Sequence, residues 1–161
     1  MPEFFANQVL SHTTILTPNQ FELTYLTGVE INTLSDAQKA CQILHNSGVK
    51  TVLVTSLTRV DCDPNVIEMF VSGESNYLIA TPRLSLPIAP NGSGDMTAAV
   101  FLAKYLETKD LKLSLEHTAA AIYAVFAKTM ELNQRELAII ASQDELVNPS
   151  YQFTAKEIVK V

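Results

Sequence analysis

Two short runs of residues carry the chemistry in this chain. The first is Pro90-Asn91-Gly92-Ser93-Gly94-Asp95-Met96-Thr97, which leads into an apolar, alanine-rich stretch. Glycines on both sides of Ser93 let the backbone turn tightly and approach a ligand. If the stretch that follows is a helix, its first turn offers unpaired N–H groups and the positive end of the macrodipole, a setting suited to phosphate. Asp95 would stand beside that cradle as a base for an attacking hydroxyl. The same residues also fit a plain loop with Asp95 as helix cap. No Lys-Ser/Thr pair follows the second glycine, so this is not a Walker loop. The second run is Thr17-Pro18-Asn19-Gln20-Phe21-Glu22-Leu23. Helical spacing places the Asn19 amide and the Glu22 carboxylate on one face. Both supply oxygen, which suits a hard cation directly or through its waters. Equally, Asn19 and Glu22 have the spacing of a capping box.

Elements that would position these runs can be read along the chain. Thr13–Thr17 reads as a short strand stopped by Pro18, and Asn19–Leu26 as a helix closed by Gly28. Ser35 with Gln38 suggests a cap for a helix running to about Ser47, with Gly48 as its stop. Thr51–Ser56 is apolar and β-branched, as in a strand buried on both faces of a parallel sheet. Val66–Val71 and Tyr77–Thr81 suggest a hairpin around Ser72-Gly73-Glu74-Ser75. Helices are expected over Thr97–Leu106, Leu113 to about Met130, and Arg135–Ala141. Phe4, Phe5, Val9 and Leu10 look like the tail of a helix. The order implies an α/β fold with helices on a mostly parallel sheet. Sites in such sheets lie beyond the carboxyl ends of the strands, which would gather Thr17-Pro18-Asn19, Thr55-Ser56 and the glycine loop at one rim.

Composition narrows the function classes. The 161 residues suit one domain, 1–161, and 47% hydrophobic content is enough for a sizeable core. A net charge of −6 without a basic run argues against a nucleic-acid partner. Cys41 and Cys62 have neither disulfide-framework nor zinc-site spacing. No apolar run reaches membrane-spanning length, and the amino terminus has no signal-peptide pattern, so a cytoplasmic protein without a membrane partner is expected.

Thr-Pro-Asn-x-x-Glu-Leu, then Val52-Leu53-Val54-Thr55-Ser56, then Gly-Ser-Gly-Asp opening a helix, resembles the ribokinase superfamily. Within it, the stretches Glu116–Tyr123 and Glu136–Asp144 resemble the closing part of the pyridoxal/pyridoxamine kinases of vitamin B6 salvage. The resemblance covers nearly the whole chain, in the family's order. It implies a ribokinase-like three-layer α/β/α fold and ATP-dependent phosphorylation of the hydroxymethyl group of pyridoxal, pyridoxine or pyridoxamine. Asp95 matches the family's catalytic base, which also meets the substrate. Asn91, Gly92, Ser93 and Gly94 match the anion hole, whose donors stabilise charge on the transferred phosphoryl group. Asn19 and Glu22 match the pair that organises Mg²⁺, mainly through water. Thr17, Glu22 and Thr55 match positions near ATP, and Thr81, Pro82, Arg83 and Leu84 the segment lying along it.

With that context, functional roles for Asp95 and Glu22 are preferred over capping alone, and the two are compatible. Arg83 reads as a solvated residue or a phosphate contact, and His117 as a packed or surface histidine. Tyr123, Val125 and Phe126 fit an adenine border or core packing. The resemblance is to roughly the family's C-terminal half. By this reading a lid and most pyridoxal contacts belong to an absent N-terminal half. The expected partners are then ATP, a pyridoxal-type molecule, and a second copy or a complementing N-terminal half. Weak or absent activity is expected of the chain alone. The alternatives are a hydroxymethylpyrimidine kinase and a non-catalytic nucleotide-binding fragment of a split kinase.

Overall fold

The computed structural model describes residues 9–85 and 91–161, so Phe4, Phe5 and Pro90 lie outside the described residues. The chain is α/β. Its five-stranded sheet runs in the order β1 (Ile15–Leu16), β2 (Thr51–Leu57), β3 (Val66–Ser72), β4 (Asn76–Pro82), β5 (Lys156–Ile158). The α-helices are α1 (Gln20–Thr27), α2 (Leu34–Asn46), α3 (Ser93–Thr108), α4 (Leu111–Glu131) and α5 (Gln143–Val147). Chain contacts divide it into two compact units, residues 1–78 with 156–161, and residues 79–155.

In the first unit, local sequence explains the boundaries of α1 and the start of α2. Asn19 and Glu22 form a reciprocal capping box that starts α1, and Gly28 ends it in the left-handed region at φ 70°. Helix α2 starts two residues before the expected Ser35–Gln38 cap. Thr33 is the residue in extended backbone, and its hydroxyl accepts from Asp36 N–H while Asp36 accepts from Thr33 N–H at 3.0 Å. Ser35 falls inside the first turn, where its backbone is already helical. Ala37, Ala40, Cys41 and Leu44 recur at helical spacing and are buried as one face of α2. They meet Leu23 of α1 and Val52, Val54 and Leu57 of β2 in a single apolar cluster. Each fully buried Leu or Val contributes about 1.5–3 kcal/mol.

The sheet corrects the expectation of a mostly parallel arrangement. β1–β2 pairs in parallel, with Ile15 opposite Thr51, whereas β2–β3 and β4–β5 are antiparallel. The strongly apolar Val52-Leu53-Val54 run is buried on both faces as predicted, but that burial does not set direction. Direction follows from the connections. Helices α1 and α2 separate β1 from β2, while the 73–75 turn returns the chain directly into β4. Strand β5 was not anticipated, because Lys156-Glu157-Ile158 is short and mostly exposed and owes its form to pairing with Asn76–Leu78.

In the second unit, α3 packs along α4. Phe101, Leu115, Ala119, Ala121 and Val125 are fully buried there. Asp110 caps α4, its carboxylate accepting from Leu113 N–H at 2.9 Å. The helix expected over Arg135–Ala141 is absent. That segment is irregular up to a 3₁₀ turn at Ile140–Ser142, and α5 follows. One cause is visible: Ala138 N–H donates to the buried Thr129 hydroxyl at 3.0 Å instead of to a helical carbonyl.

Candidate functional site

The Thr17–Leu23 run sits in the first unit at the end of β1. Asn19 Oδ1 accepts from Glu22 N–H at 2.8 Å, and Glu22 Oε2 accepts from Asn19 N–H at 2.9 Å. This cap leaves Glu22 Oε1 and the Asn19 amide nitrogen for other partners, and Glu22 is exposed. Thr55 is brought beside this run, since its N–H donates to Pro18 carbonyl at 3.0 Å. The pairing of β2 with β3 slips between Val54 and Leu57, so Thr55 and Ser56 occupy an irregularity that turns them out of the regular ladder. Thr17 is half-buried here.

Gln20 was missed by sequence reading. Its side-chain nitrogen donates to Ile31 carbonyl at 2.9 Å, and its oxygen accepts from Thr58 N–H at 2.7 Å. One amide thereby ties the start of α1 to the exit of β2 and to the 28–33 loop. The only signal in the sequence is its place between Asn19 and Glu22, because both partners are backbone groups distant along the chain. Below it, Arg59 forms a two-point ion pair with the buried Glu68 carboxylate, at 2.7 and 3.0 Å, and reaches Asp61 at 2.7 Å. Glu68 holds the Arg59 guanidinium above its ordinary pKa. Burial, then Glu68, pushes the Cys62 thiol up, and burial pushes Cys41 up to about 12, so neither cysteine is set up as a thiolate nucleophile.

In the second unit the glycine loop opens α3. Gly92, at φ 81°, is the residue preceding the helix, and no side chain caps the first turn. A side chain at Gly92 would be strained by that backbone angle although the space around it is open. Asp95 is therefore not the helix cap. It lies within the first turn, exposed, and no hydrogen bond engages its carboxylate among the described residues. Thr97 turns inward and donates to Ser93 carbonyl at 2.8 Å, fixing the turn from within. The arrangement is an uncapped helix N-terminus with a free carboxylate on it, which can accept a proton next to a bound anion.

Thr81 is buried at the end of β4, Pro82 and Arg83 are exposed, and Leu84 is half-buried. A hollow of about 490 Å³ is lined by Asn91, Gly92, Arg135, Glu136, Leu137 and Ile139. The sequence reading missed it because a helix was expected at 135–141. His117 is a packing residue, its Nε2 donating to Leu146 carbonyl at 3.0 Å. Tyr123 packs edge-on against Tyr151 and Phe153, with centroids 4.7 and 5.2 Å away. Among the described residues, no group of three or more His, Cys, Asp or Glu side chains is arranged to hold a metal, and no helix is long and apolar enough to cross a membrane.

Residues 2–139 match the family model described as phosphomethylpyrimidine kinase. The chain is 40% identical over 160 residues to the pyridoxal kinase PdxY of Rubrobacter xylanophilus, covering 98% of this chain and 54% of that protein. It is 37% identical over 159 residues to the pyridoxal kinase PdxY of Leifsonia xyli subsp. xyli, covering 98% and 56%. Its fold superposes on the pyridoxal kinase of Leishmania donovani in complex with ADP and ginkgotoxin with a TM-score of 0.88. That match has 26% identity and covers 98% of this chain and 55% of that one. The chain thus spans about half the length of the curated relatives it matches. The mixed sheet with its helices is the ribokinase-like α/β fold expected from the motifs. By fold and by sequence across residues 2–139, the chain belongs to the phosphomethylpyrimidine kinase family.

Proposed function

We propose that this chain is the nucleotide-holding and catalytic portion of an ATP-dependent kinase that phosphorylates the hydroxymethyl group of a B6 vitamer, giving pyridoxal 5′-phosphate from pyridoxal. The observation that carries this reading is Asp95, an exposed carboxylate in the uncapped first turn of α3 that caps nothing. Asp95 accepts the proton of the substrate hydroxyl. The N–H groups of the Asn91-Gly92-Ser93-Gly94 loop receive the phosphoryl oxygens, and the macrodipole of α3 adds to their effect. In the second unit, Thr81, Pro82, Arg83 and Leu84 supply nucleotide contacts, Pro82 and Arg83 being exposed; in the first unit, Thr17 and Thr55 are the positions assigned to the nucleotide.

The donor set of the first unit fits Mg²⁺ held mainly through water. Two oxygen-bearing side chains are present, and the cap engages the single amide oxygen of Asn19 and one of the two carboxylate oxygens of Glu22. Mg²⁺ keeps several waters in such settings. Asn19 and Glu22 would orient those waters, and the bound ion would neutralise charge on the phosphates. Support for a B6 vitamer as acceptor comes from the pyridoxal kinases that match across nearly all of this chain.

The test is formation of pyridoxal 5′-phosphate from pyridoxal and Mg²⁺·ATP by the chain and by its Asp95→Ala variant. Product that disappears in the variant supports the assignment, and equal product from both would sink it. The family match itself favours a second reading, in which a hydroxymethylpyrimidine is the acceptor. Offering both acceptors in one assay separates the two. If neither acceptor is phosphorylated, the third reading is a non-catalytic fragment that binds nucleotide and needs a complementing half, and ADP binding by the same chain tests it.

A further inference from the structure

Asn91 is the only one of the nine asparagines that is followed by glycine. We infer that Asn91 is a site of spontaneous deamidation, so that the glycine loop carries a slow chemical clock. The chemistry needs a backbone nitrogen able to reach the side-chain carbonyl carbon one residue back. Glycine is the residue that obstructs this least, because no Cβ stands in the path. Asn91 and Gly92 are both exposed. Open space surrounds the position a Gly92 side chain would take. No hydrogen bond holds the Asn91 amide among the described residues.

Most other asparagines are protected in ways the structure makes explicit. Asn19 Oδ1 is held by the α1 cap, Asn46 Oδ1 accepts from Gln42, and the Asn65 amide donates to Asp63. Asn76 is buried in β4, where its amide donates to Gln38. Asn148 precedes Pro149, which has no N–H to deprotonate. Asn133 is exposed, but Gln134 follows it, and Gln134 N–H is held by Thr129 carbonyl at 3.1 Å.

The step balances without any redox partner. Gly92 nitrogen bonds to Asn91 Cγ, the Cγ–Nδ2 bond breaks, and ammonia leaves with the proton from the Gly92 N–H. A succinimide ring remains. Water then adds to one of its two carbonyls, giving either aspartate or isoaspartate at position 91. Both products place a carboxylate in the loop, and isoaspartate also inserts a carbon into the main chain just ahead of α3. If the loop holds phosphate, as proposed above, the new charge repels that ligand.

The experiment follows the intact chain at mildly alkaline pH with two readouts. Peptide mass spectrometry reports amide-to-acid conversion at each asparagine, and protein isoaspartyl methyltransferase with a labelled methyl donor reports isoaspartate. Conversion at Asn91 should outpace that at every other asparagine, and Asn91→Gln should remove the methyltransferase label. An Asn91 that keeps its amide while Asn65 or Asn133 converts would overturn the inference, as would labelling unchanged in Asn91→Gln. The third readout is Mg²⁺·ADP binding by the aged chain, expected to weaken about tenfold or more if a carboxylate enters the phosphate cradle. Conversion without weaker binding would count against the loop as a phosphate site and leave the modification standing.

Discussion

The two chemistry-bearing runs are both at helix N-termini, yet they are built in opposite ways. The Asn19–Glu22 run is largely engaged by its own backbone. Each side chain satisfies the other's N–H, and Gln20 between them bolts the turn to Ile31 and Thr58. The Asn91–Asp95 run is left open: Gly92 precedes α3, no side chain caps its first turn, and Asp95 is exposed. A helix N-terminus that caps itself has committed part of its donor set to its own side chains, whereas one that does not keeps its donors for a ligand. The first run is therefore a rigid support with one spare carboxylate oxygen. The second is a receptor whose own stabilisation is incomplete.

That contrast can be broken by substitution. The largest effect is expected from Asp95→Asn, which should cut phosphoryl transfer by about 10²- to 10⁴-fold, the usual span for a general base. Thermal unfolding should barely move, staying within about 0.5 kcal/mol as for a surface change that removes no cap. A large loss of stability in Asp95→Asn would mean that the carboxylate is structural after all.

Next in size is Gln20→Ala. It strands two backbone groups, at Ile31 and Thr58, and should cost about 1–3 kcal/mol if both lose their partner to a poorly hydrated site. Denaturant titration reads this directly. An unchanged midpoint would show that water replaces the amide at no cost, and the support would be looser than its geometry implies.

Asn19→Ala should lower stability by about 1 kcal/mol through loss of the cap. Glu22→Gln is the sharper comparison, because glutamine can still accept from Asn19 N–H while the charge is gone. Unfolding should be unaltered in Glu22→Gln, and the Mg²⁺ concentration needed for half-maximal turnover should rise. If neither quantity changes, Glu22 caps α1 and does nothing else.

The smallest effect concerns pH. Hydrogen bonding from the Thr33 hydroxyl is the main reason the Asp36 carboxyl lies below the ordinary carboxylate range. A depressed folded-state pKa stabilises the protein above the unfolded value, and the benefit disappears as pH falls through the folded one. Acid titration of the unfolding midpoint should thus be slightly shallower in Asp36→Asn than in the parent chain. Identical acid profiles would show that this cap contributes nothing measurable.

Much of this protein was written locally. The Asn19–Glu22 box, the Gly28 stop, the buried Val52-Leu53-Val54 strand and the turn after β3 depend on neighbours a few residues away, and the structure contains them as read. The glycine loop and the helix it opens were legible for the same reason, since φ 81° at Gly92 is a property of one residue type. Three features were decided only by tertiary structure. Strand β5 exists because β4 offers it an edge, the 135–141 segment leaves the helix because Thr129 takes the Ala138 N–H, and Gln20 acquires partners 11 and 38 residues away. Each depends on a hydrogen-bonding group supplied from elsewhere in the chain, which no local pattern encodes. Sequence thus determined which residues could do chemistry. The folded chain decided which of them its own backbone had already engaged.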